Sequence, residues 1–496
     1  DDQSKFKLIA GDQVERNGKL LDKVFYPHKK KIVLNEGDIV ERKLQNGDIV
    51  LLNRQPTLHR GSMLSHKIVI RPGKTIRMNL ANTKSFNADF DGDEMNIHVP
   101  NSVDTEAELK FLSMTNENLI STQSSKPNIV IVQDSLLGAY MLSKPNSIIS
   151  RNLFFQITCK GDGWSSDYIL SRLNEIKSSF CVTDDALYSG RALVALILPC
   201  TFNYNAKGIE IDRGFIIDGT LTKSNINGQN GIIHTLLHDY GQSECVRFIN
   251  NIQFIANEWL IHHGFSISIA DCIATKTSEI ENVITRCFVD ATSIDDVTID
   301  DNIKEIRINA ALSKARDHGM KIAKDALPID NNFLSTVTSG SKGDYFNIAQ
   351  ITGLLGQQNF SGKRIAYTLN DNTRSLPHYN PKTMSNEEKY ESKGFIRNSF
   401  INGLNPKEFW FHAITGREGV TDTAMKTAQS GYIQRRMVKL GENISVKNDL
   451  TVRGKNNQVI QFQYGDCGLD PCHTMIKNKQ PIVCDVQRIC DILNKS

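Results

Sequence analysis

The sequence predicts an α+β protein with several domains, because the type of pattern changes along the chain. Residues 1–115 hold short β-branched runs separated by glycine, which are typical of strands. Residues 116–300 mix such runs with helical patterns, and residues 301–400 begin with long helical periodicity. The 496 residues are enough for about three or four domains, each with a core of its own.

In the first segment we predict strands at Gly47–Leu52 and Lys67–Ile70, where β-branched residues lie between glycines and polar residues. Thr75–Leu80 alternates polar and apolar residues, so its apolar side chains would share one face of a strand. These runs favour a β-rich domain at the start of the chain.

Helical patterns appear further along the chain, first at Gln133–Leu142 and Cys245–His262. Residues 300–370 are predicted to be mainly helical, with a glycine-rich interruption at Ser339–Gly343. Residues 370–400 are polar and contain prolines, which predicts an exposed connection.

A long helix is predicted to follow this connection. Asn405 suits the N-cap, Pro406 the first helical position and Glu408 the acidic position of a capping box. The pattern continues to about Leu440, a length of roughly 52 Å at 1.5 Å per residue. Three glycines inside it predict bending or local unwinding. They are Gly416, Gly419 and Gly431.

Composition places the chain among ordinary soluble globular proteins, with 40% hydrophobic and 23% charged residues. The net charge is only +3, so any surface for nucleic acid must be a local patch. No apolar run approaches the roughly 20 residues that a membrane-spanning helix needs, so we expect no membrane contact.

The ten cysteines form no CxxC pair, and we predict free thiols in a reducing compartment. The group Cys467, Cys472 and His473 lacks a fourth ligand at the usual spacing, so we interpret it as structural. The cysteines are Cys159, Cys181, Cys200, Cys245, Cys272, Cys287, Cys467, Cys472, Cys484 and Cys490.

The most specific motif is NADFDGDEMN at residues 87–96, in which Asp89, Asp91 and Asp93 alternate. On a flat strand the outer two aspartates would lie about 13 Å apart, too far for one ion to contact all three. Gly92 permits a tight turn that lets the carboxylates converge. Converging carboxylates need a cation, and hard oxygen ligands favour Mg²⁺.

Two other structures are compatible with an acidic motif of this kind. A calcium EF-hand loop fails, because Glu94 stands where glycine is needed and Pro100 where the bidentate glutamate belongs. A solvated acidic turn is common and remains open from the motif alone.

The segment before the motif favours a metal centre over a plain acidic turn. Residues 54–84 contain seven Lys or Arg and two His but no carboxylate. Bases that hold phosphate next to acids that hold a metal are what metal-assisted phosphoryl transfer requires. A solvated basic face is the alternative that stays open. The basic residues are Arg54, Arg60, Lys67, Arg71, Lys74, Arg77 and Lys84, with His59 and His66.

These residues resemble the largest subunit of multi-subunit DNA-directed RNA polymerases, most closely the RNA polymerase II-like enzymes, including those of large DNA viruses. NADFDGDEMN is similar to the metal-binding signature of that family. Matching segments follow in family order from about Asp48 to Pro471 and so cover most of the chain. The others are LNRQPTLHRGSM (52–63), GSKGDYFNIAQITGLLGQQNFSGKRI (340–365), RSLPHY (374–379), GFIRNSF (394–400), GREGVTDTAMKTAQSGYIQRRMVK (416–439) and VIQFQYGDCGLDP (459–471).

The resemblance implies a domain order. It implies an active-site domain with a double-psi β-barrel at 1–115, a mixed α/β pore domain at 116–300 and a helical funnel domain at 301–400. The bridge helix would occupy 401–440, and a following cleft domain would begin within 441–496. One departure is Thr415, where the family usually has glycine, and this would make the start of the bridge helix less pliant.

The resemblance also implies templated nucleotidyl transfer from nucleoside triphosphates to the RNA 3′ end by a two-Mg²⁺ mechanism. Asp89, Asp91 and Asp93 would be both the metal ligands and the catalytic residues. The positions implied to contact the substrate are Arg54, Asn87, Thr423 and Ala424. Those implied to contact nucleic acid are Tyr432, Arg435 and Arg436. Each of the helix residues has a plain alternative, as helix surface, core or solvated end charge.

The implied partners are template DNA, the RNA transcript, nucleoside triphosphates, the second-largest polymerase subunit and smaller subunits. The family's clamp and trigger loop would lie outside this chain, so we expect a fragment, a processed piece or half of a split subunit that makes little RNA alone. The location would be the nucleus, or the virion or cytoplasmic factory of a virus.

Two functions from other classes stay open at this level. One is a stand-alone Mg²⁺-dependent nuclease or phosphohydrolase built on the same carboxylates, which needs no partner and no long helix. The other is a non-catalytic assembly scaffold, against which the intact aspartate triad argues. Turnover of nucleic acid by the isolated chain distinguishes the first from a polymerase.

Overall fold

The computed structural model describes residues 12–21, 34–161, 163–180, 187–273, 277–297, 300–328, 330–477, 480–484, 486 and 489–490. The chain divides into two compact units. The first spans residues 1–121 and 128–130, and the second spans 122–127 and 131–496. Strands and helices occur in both, which confirms the predicted α+β class. Among the described helices, none is both long enough and apolar enough to cross a lipid bilayer.

The described residues of the first unit form two antiparallel three-stranded sheets. One has the order β2-β1-β3 and the other the order β5-β4-β6. The strands are β1 Gln13–Arg16, β2 Lys19–Leu20, β3 Ile39–Glu41, β4 Ile49–Asn53, β5 Met63–Lys67 and β6 Asn96–His98. The helices are Thr83–Phe86 and Val103–Phe111, with single 3₁₀ turns at Arg60–Ser62, Leu80–Asn82 and Thr115–Asn118.

Strand β4 is the centre of the second sheet, and its residues Ile49, Val50, Leu52 and Asn53 are buried. The predicted run Lys67–Ile70 begins in β5 and continues as far as Ile68, which exchanges backbone hydrogen bonds with Gly47 and Asp48. The predicted strand at Thr75–Leu80 is wrong. Ile76 is exposed, and the segment is a loop that ends in a 3₁₀ turn, because no neighbouring strand pairs with it in the described chain.

The second unit is mainly helical. Its helices are Gln133–Leu142, Arg151–Thr158, Ser166–Phe180, Gly190–Ile197, Lys223–Ile226, Ile232–Tyr240, Gln242–His263, Thr277–Val297, Asp301–Ala326, Asn332–Ser339, Tyr345–Ile348, Asn386–Ser392 and Pro406–Gly441. A π-helical turn covers Ala349–Gly353, and 3₁₀ turns cover Ala270–Cys272, Lys455–Asn457, Tyr464–Asp466 and Pro471–His473. Both helices predicted before residue 300 are confirmed.

Short antiparallel strands complete the second unit. A three-stranded sheet is formed by Tyr204–Ala206, Ile209–Asp212 and Phe215–Gly219. The remaining strands are Gly356–Gln357, Asn359–Phe360, Lys363–Arg364, Phe395–Ile396, Ser445–Val446, Val452–Arg453, Val459–Gln461, Met475–Lys477 and Gln480–Ile482. The prediction of mainly helical structure therefore holds up to Gly353 and is wrong beyond it, where paired short strands begin.

Residues 370–400 form the exposed connection that their polarity predicted only in part, because the exposed residues lie mainly within 370–389. Tyr390 and Phe395 are buried in the core between the helices Thr277–Val297 and Asp301–Ala326. Tyr379 is buried against Phe411, at the start of the long helix. A few large aromatic side chains fix this segment, although most of its residues are polar.

The long helix runs from Pro406 to Gly441 as predicted. The side chain of Asn405 accepts from the Glu408 backbone N–H, and the Glu408 carboxylate accepts from the Asn405 N–H, which completes the predicted capping box. Only Glu408 and Phe411 of this helix are buried in the chain. The predicted local unwinding is absent, because helical structure continues through all three glycines. A Cβ atom added at Gly416, Gly419 or Gly431 would meet no atom within 4 Å.

Cysteines in the described residues agree with the prediction of free thiols at Cys159, Cys200, Cys245, Cys272, Cys287, Cys467, Cys484 and Cys490. Burial raises the pKa of the Cys245 thiol to about 12, so this cysteine is an inert part of the core. Cys181 lies outside the described residues.

Candidate active site

The acidic motif lies in a tight turn between a short helix and strand β6. The helix Thr83–Phe86 ends at Asn87, which adopts the left-handed conformation with φ of 47°. The chain then turns through Gly92, whose φ of +124° is one that side chains rarely allow. The glycine therefore has the role that the sequence predicted, since it lets the chain reverse between the aspartates.

The three aspartates converge, as predicted. Asp89, Asp91 and Asp93 each offer a carboxylate oxygen, and these oxygens lie within 4.8 Å of one another on an exposed surface. The backbone N–H of Asp89 donates to Asp93 Oδ2 at 3.0 Å and closes the turn. An extended strand would have held the outer pair much farther apart.

The crowding of negative charge changes the protonation of the cluster. The pKa of the Asp91 carboxyl lies above its usual range, because it shares a hydrogen bond with Asp89 and faces the charge of that carboxylate. Protons therefore compete for this cluster at a higher pH than they would for an isolated aspartate. A divalent cation would relieve the same repulsion.

Arg54 is the basic residue that the structure brings to the triad. Its Nε lies 2.8 Å from Asp93 Oδ2 and its Nη2 lies 3.2 Å from Asp93 Oδ1, so the guanidinium grips both oxygens. The Arg54 Nη1 also donates to the backbone carbonyl of Phe86 at 3.4 Å. This pairing holds the pKa of the Asp93 carboxyl below its usual range. Asp93 is thus fixed in its charged form.

Sheet register explains why residues so distant in sequence meet. Strand β4 ends at Asn53, which pairs with Asn96 at the start of the antiparallel strand β6. Arg54 follows β4 directly, and Asp93 lies three residues before the start of β6, so both lie at the same edge of the sheet. The only indication of the Arg54–Asp93 pair in the sequence was that residues 54–84 are rich in bases and contain no carboxylate. Sequence analysis did not predict the ion pair.

The triad oxygens lie close enough together to share one metal ion after a small movement. Neighbouring oxygens bound to one Mg²⁺ at about 2.1 Å lie roughly 3 Å apart. The observed oxygens, within 4.8 Å, need to approach by about 2 Å at most, and the exposed Asp89 and Asp91 side chains can make that movement while Arg54 holds Asp93. Asn87 is also exposed, at the turn that precedes the triad.

The other bases of the segment 54–84 have different surroundings. Lys67, Arg71, Lys74 and Arg77 are exposed. His59 accepts the Gly61 backbone N–H at its Nδ1 atom and so caps a 3₁₀ turn, which is a structural role.

The predicted contact residues of the long helix lie in the second unit. Thr423, Ala424, Arg435 and Arg436 are exposed on it. Tyr432 is 61% exposed, so the alternative that it is a core residue is wrong. The Arg436 guanidinium carbon lies 5.6 Å from the centre of the Tyr432 ring.

Glu418, on the same helix, has a role that the sequence did not predict. Its Oε1 accepts from the Ser361 backbone N–H at 2.7 Å and from the Ser361 hydroxyl at 3.3 Å. No local pattern indicates this bond, which joins residues 57 positions apart.

Comparison with known proteins supports one family throughout. Models described as RNA polymerase Rpb1 domains 2, 3, 4 and 5 match residues 9–115, 118–272, 297–396 and 403–483. The probable DNA-directed RNA polymerase II subunit RPB1 homolog of Invertebrate iridescent virus 6 is 44% identical over 520 residues. That match covers 99% of this chain and 50% of the viral protein.

More distant relatives agree with this result. The DNA-directed RNA polymerase II subunits RPB1-A and RPB1-B of Trypanosoma brucei brucei are each 35% identical over 479 residues, which cover 92% of this chain and 26% of each relative. The chain thus spans about half the length of the viral relative and about a quarter of the trypanosome ones. Four consecutive Rpb1 domains and a match to a viral homologue over nearly all of this chain show that the chain belongs to the RNA polymerase II-like family of largest subunits.

Proposed function

We propose that this chain is the catalytic part of a DNA-directed RNA polymerase, which transfers nucleotides from nucleoside triphosphates to the RNA 3′ end on a DNA template. The observation that carries the proposal is the convergence of the Asp89, Asp91 and Asp93 oxygens within 4.8 Å. They converge on a turn inside the segment that matches Rpb1 domain 2. The match supports the reaction class, and the geometry supports the site.

Asp89, Asp91 and Asp93 would hold one Mg²⁺. Bound there, that ion would lower the pKa of the RNA 3′-hydroxyl, while a second Mg²⁺ arriving with the triphosphate would offset the charge of the pyrophosphate. Arg54 supplies one positive charge to the three carboxylates, so one divalent ion neutralises the remainder. Arg54 thereby keeps Asp93 ionised and aimed at the site.

Two exposed groups near the triad suit recognition of a ribonucleotide. The Asn87 amide can donate to and accept from a 2′-hydroxyl, and its left-handed backbone presents it on the turn. Arg54 commits its Nε and Nη2 to Asp93 and its Nη1 to the Phe86 carbonyl. We therefore propose Asn87 as the contact to the ribose and Arg54 chiefly as the residue that orients Asp93.

The long helix is proposed as the bridge helix of the polymerase cleft. The small exposed side chains of Thr423 and Ala424 allow close approach of a base pair. Tyr432 offers a face for stacking, and Arg435 and Arg436 offer positive charge for phosphate. Their exposure over a helix that the chain hardly buries supports an external partner at this surface.

The remaining domain assignments follow the same proposal. Residues 1–115 would form the active-site domain with its double-psi β-barrel, 116–300 the pore and 301–400 the funnel. Residues 401–440 would be the bridge helix, and 441–496 the start of the next cleft domain. The second-largest subunit and smaller subunits would complete the enzyme. The enzyme would act in the nucleus, or in a virion or viral factory.

Reconstitution tests the proposal. The chain is assembled with the remainder of its largest subunit and the other subunits, and extension of an RNA primer on a DNA template is measured with and without Mg²⁺. We expect Mg²⁺-dependent, template-directed extension by the assembly and little by the isolated chain. Degradation of nucleic acid by the isolated chain, without templated extension, would favour the nuclease alternative.

Arg54→Lys tests the orienting role of the guanidinium. Lysine keeps the charge but cannot grip both Asp93 oxygens, so the carboxylate loses its fixed direction. We expect nucleotide addition to fall on the order of 10- to 100-fold, as is usual when a partner of a metal ligand is removed. The measurement is single-nucleotide addition by the assembled enzyme at saturating triphosphate.

Arg60→Lys is the matched control, because Arg60 is an exposed arginine of the same segment that donates only to the Leu112 carbonyl at 3.4 Å. It should leave the rate within about twofold. Equal rates for Arg54→Lys and the unaltered enzyme would contradict the orienting role.

A further inference from the structure

Three side chains on one face of the long helix bond to a neighbouring extended segment. His412 Nδ1 lies 3.3 Å from Gln358 Oε1. The Thr415 hydroxyl donates to the Asn359 carbonyl at 3.2 Å. The Glu418 carboxylate accepts from the Ser361 N–H at 2.7 Å. We call this set the helix ladder.

The spacing of the two sides explains how the helix ladder forms. The helix residues are three apart, so they rise about 4.5 Å per step on one face. The partners 358, 359 and 361 advance in the same direction, through the strand Asn359–Phe360 to the turn residue that follows it, at about 3.3 Å per residue up to that turn. From the first rung to the third, the helix advances about 9 Å and the segment about 10 Å. The three helix residues and their three partners therefore stay opposite one another along the whole helix ladder.

Thr415 differs from the other threonines of the helix. The hydroxyls of Thr421, Thr423 and Thr427 each donate to the backbone carbonyl four residues earlier. That is the usual bond of a threonine inside a helix. The Thr415 hydroxyl is directed outward to the segment instead.

Beyond the ladder the helix has no comparable attachment. From Gly419 to Gly441 no residue is buried, and the hydrogen bonds of the side chains stay within the helix or reach Glu442 just after it. The structure describes every residue from Gly419 to Gly441. The helix is thus fixed over its first third and exposed over the rest.

We infer that Thr415 is a positioning residue that, as the middle rung, fixes the first part of the long helix, so that movement of the helix is confined to residues after Glu418. The inference rests on the proposed function, because it concerns how the helix is aimed during nucleotide addition. Thr415 touches no reacting group and acts through the helix.

Hydrogen exchange measured by mass spectrometry on the assembled enzyme tests the ladder without reference to activity. Thr415→Val keeps the shape of the side chain and removes the donor, whereas Thr415→Ser keeps the donor. We expect Thr415→Val to speed amide exchange about two- to tenfold over 357–363 and 408–418, while 425–440 stays unchanged. Thr415→Ser should exchange like the unaltered enzyme.

Thr421→Val is the matched control, since it removes a threonine hydroxyl that bonds only within the helix. It should leave exchange over 357–363 unchanged. Unchanged exchange over 357–363 in Thr415→Val would overturn the inference.

Kinetics of the same variants test the positioning role. Thr415→Val should lower the maximal rate of nucleotide addition several-fold and leave the KM for the triphosphate unchanged, and Thr415→Ser should restore the rate. A raised KM at constant maximal rate, or equal kinetics in all variants, would refute positioning. If the unaltered assembly fails to extend RNA, the proposed function fails, whereas the exchange result still decides the ladder.

Discussion

Asp91→Asn should abolish nucleotide addition by the assembled enzyme, with a loss on the order of 10³-fold or more. Asp91 is the triad member whose pKa is raised, chiefly by its hydrogen bond to Asp89 and by the charge of that carboxylate. An amide removes one charge and one strong oxygen ligand, and a bound catalytic ion contributes several kcal/mol to stabilising the transition state. The measurement is the single-turnover rate of primer extension at saturating Mg²⁺.

Glu94→Gln is the matched control for this loss, because Glu94 is an exposed acid of the same motif outside the triad. It should retain nearly the full rate. Binding of Mn²⁺, followed by electron paramagnetic resonance, should weaken in Asp91→Asn and persist in Glu94→Gln. Normal elongation by Asp91→Asn would instead support the scaffold alternative.

Glu408→Ala should produce a large local loss of stability. The Glu408 side chain is buried, and its carboxylate accepts from the backbone N–H groups of Arg397, Asn398 and Asn405 and from the Asn398 amide. Alanine leaves these donors without their acceptor, at a cost of about 3 kcal/mol or more. The free energy of local opening over 394–411, measured by hydrogen exchange, should fall by that amount.

Glu387→Ala is the control for this effect. Glu387 pairs with Arg397 as well, but its side chain is about half exposed, and exposed ion pairs contribute about 0–1 kcal/mol. Its local opening energy should hardly change. A similar loss in both variants would show that the burial of Glu408 is not what stabilises the start of the helix.

Local chemistry made several features predictable from sequence. The start of the long helix follows from Asn405, Pro406 and Glu408, which lie within four residues of one another. The convergence of the aspartates follows from Gly92, since the left-handed backbone needed for the turn depends mainly on that residue. In both cases the determining residues are neighbours.

Features that depend on distant partners were not predictable. The Arg54–Asp93 pair depends on the register of β4 and β6, and the helix ladder on the placement of residues more than 50 positions away. The burial of Tyr390 depends on a core built from two other helices. A sequence pattern indicates which secondary structure a segment prefers. It does not indicate which distant residues the fold brings into contact with that segment.

The open space beside Gly416, Gly419 and Gly431 shows that the long helix could be more stable than it is. Alanine fits at each position without steric conflict in this chain, and it would strengthen the helix by roughly 0.5–1 kcal/mol per site. A sequence selected for durability alone would carry alanine there. With glycine at these positions, the helix is less rigid than its surroundings in this chain would permit, so it bends at a lower energetic cost than an alanine-containing helix would.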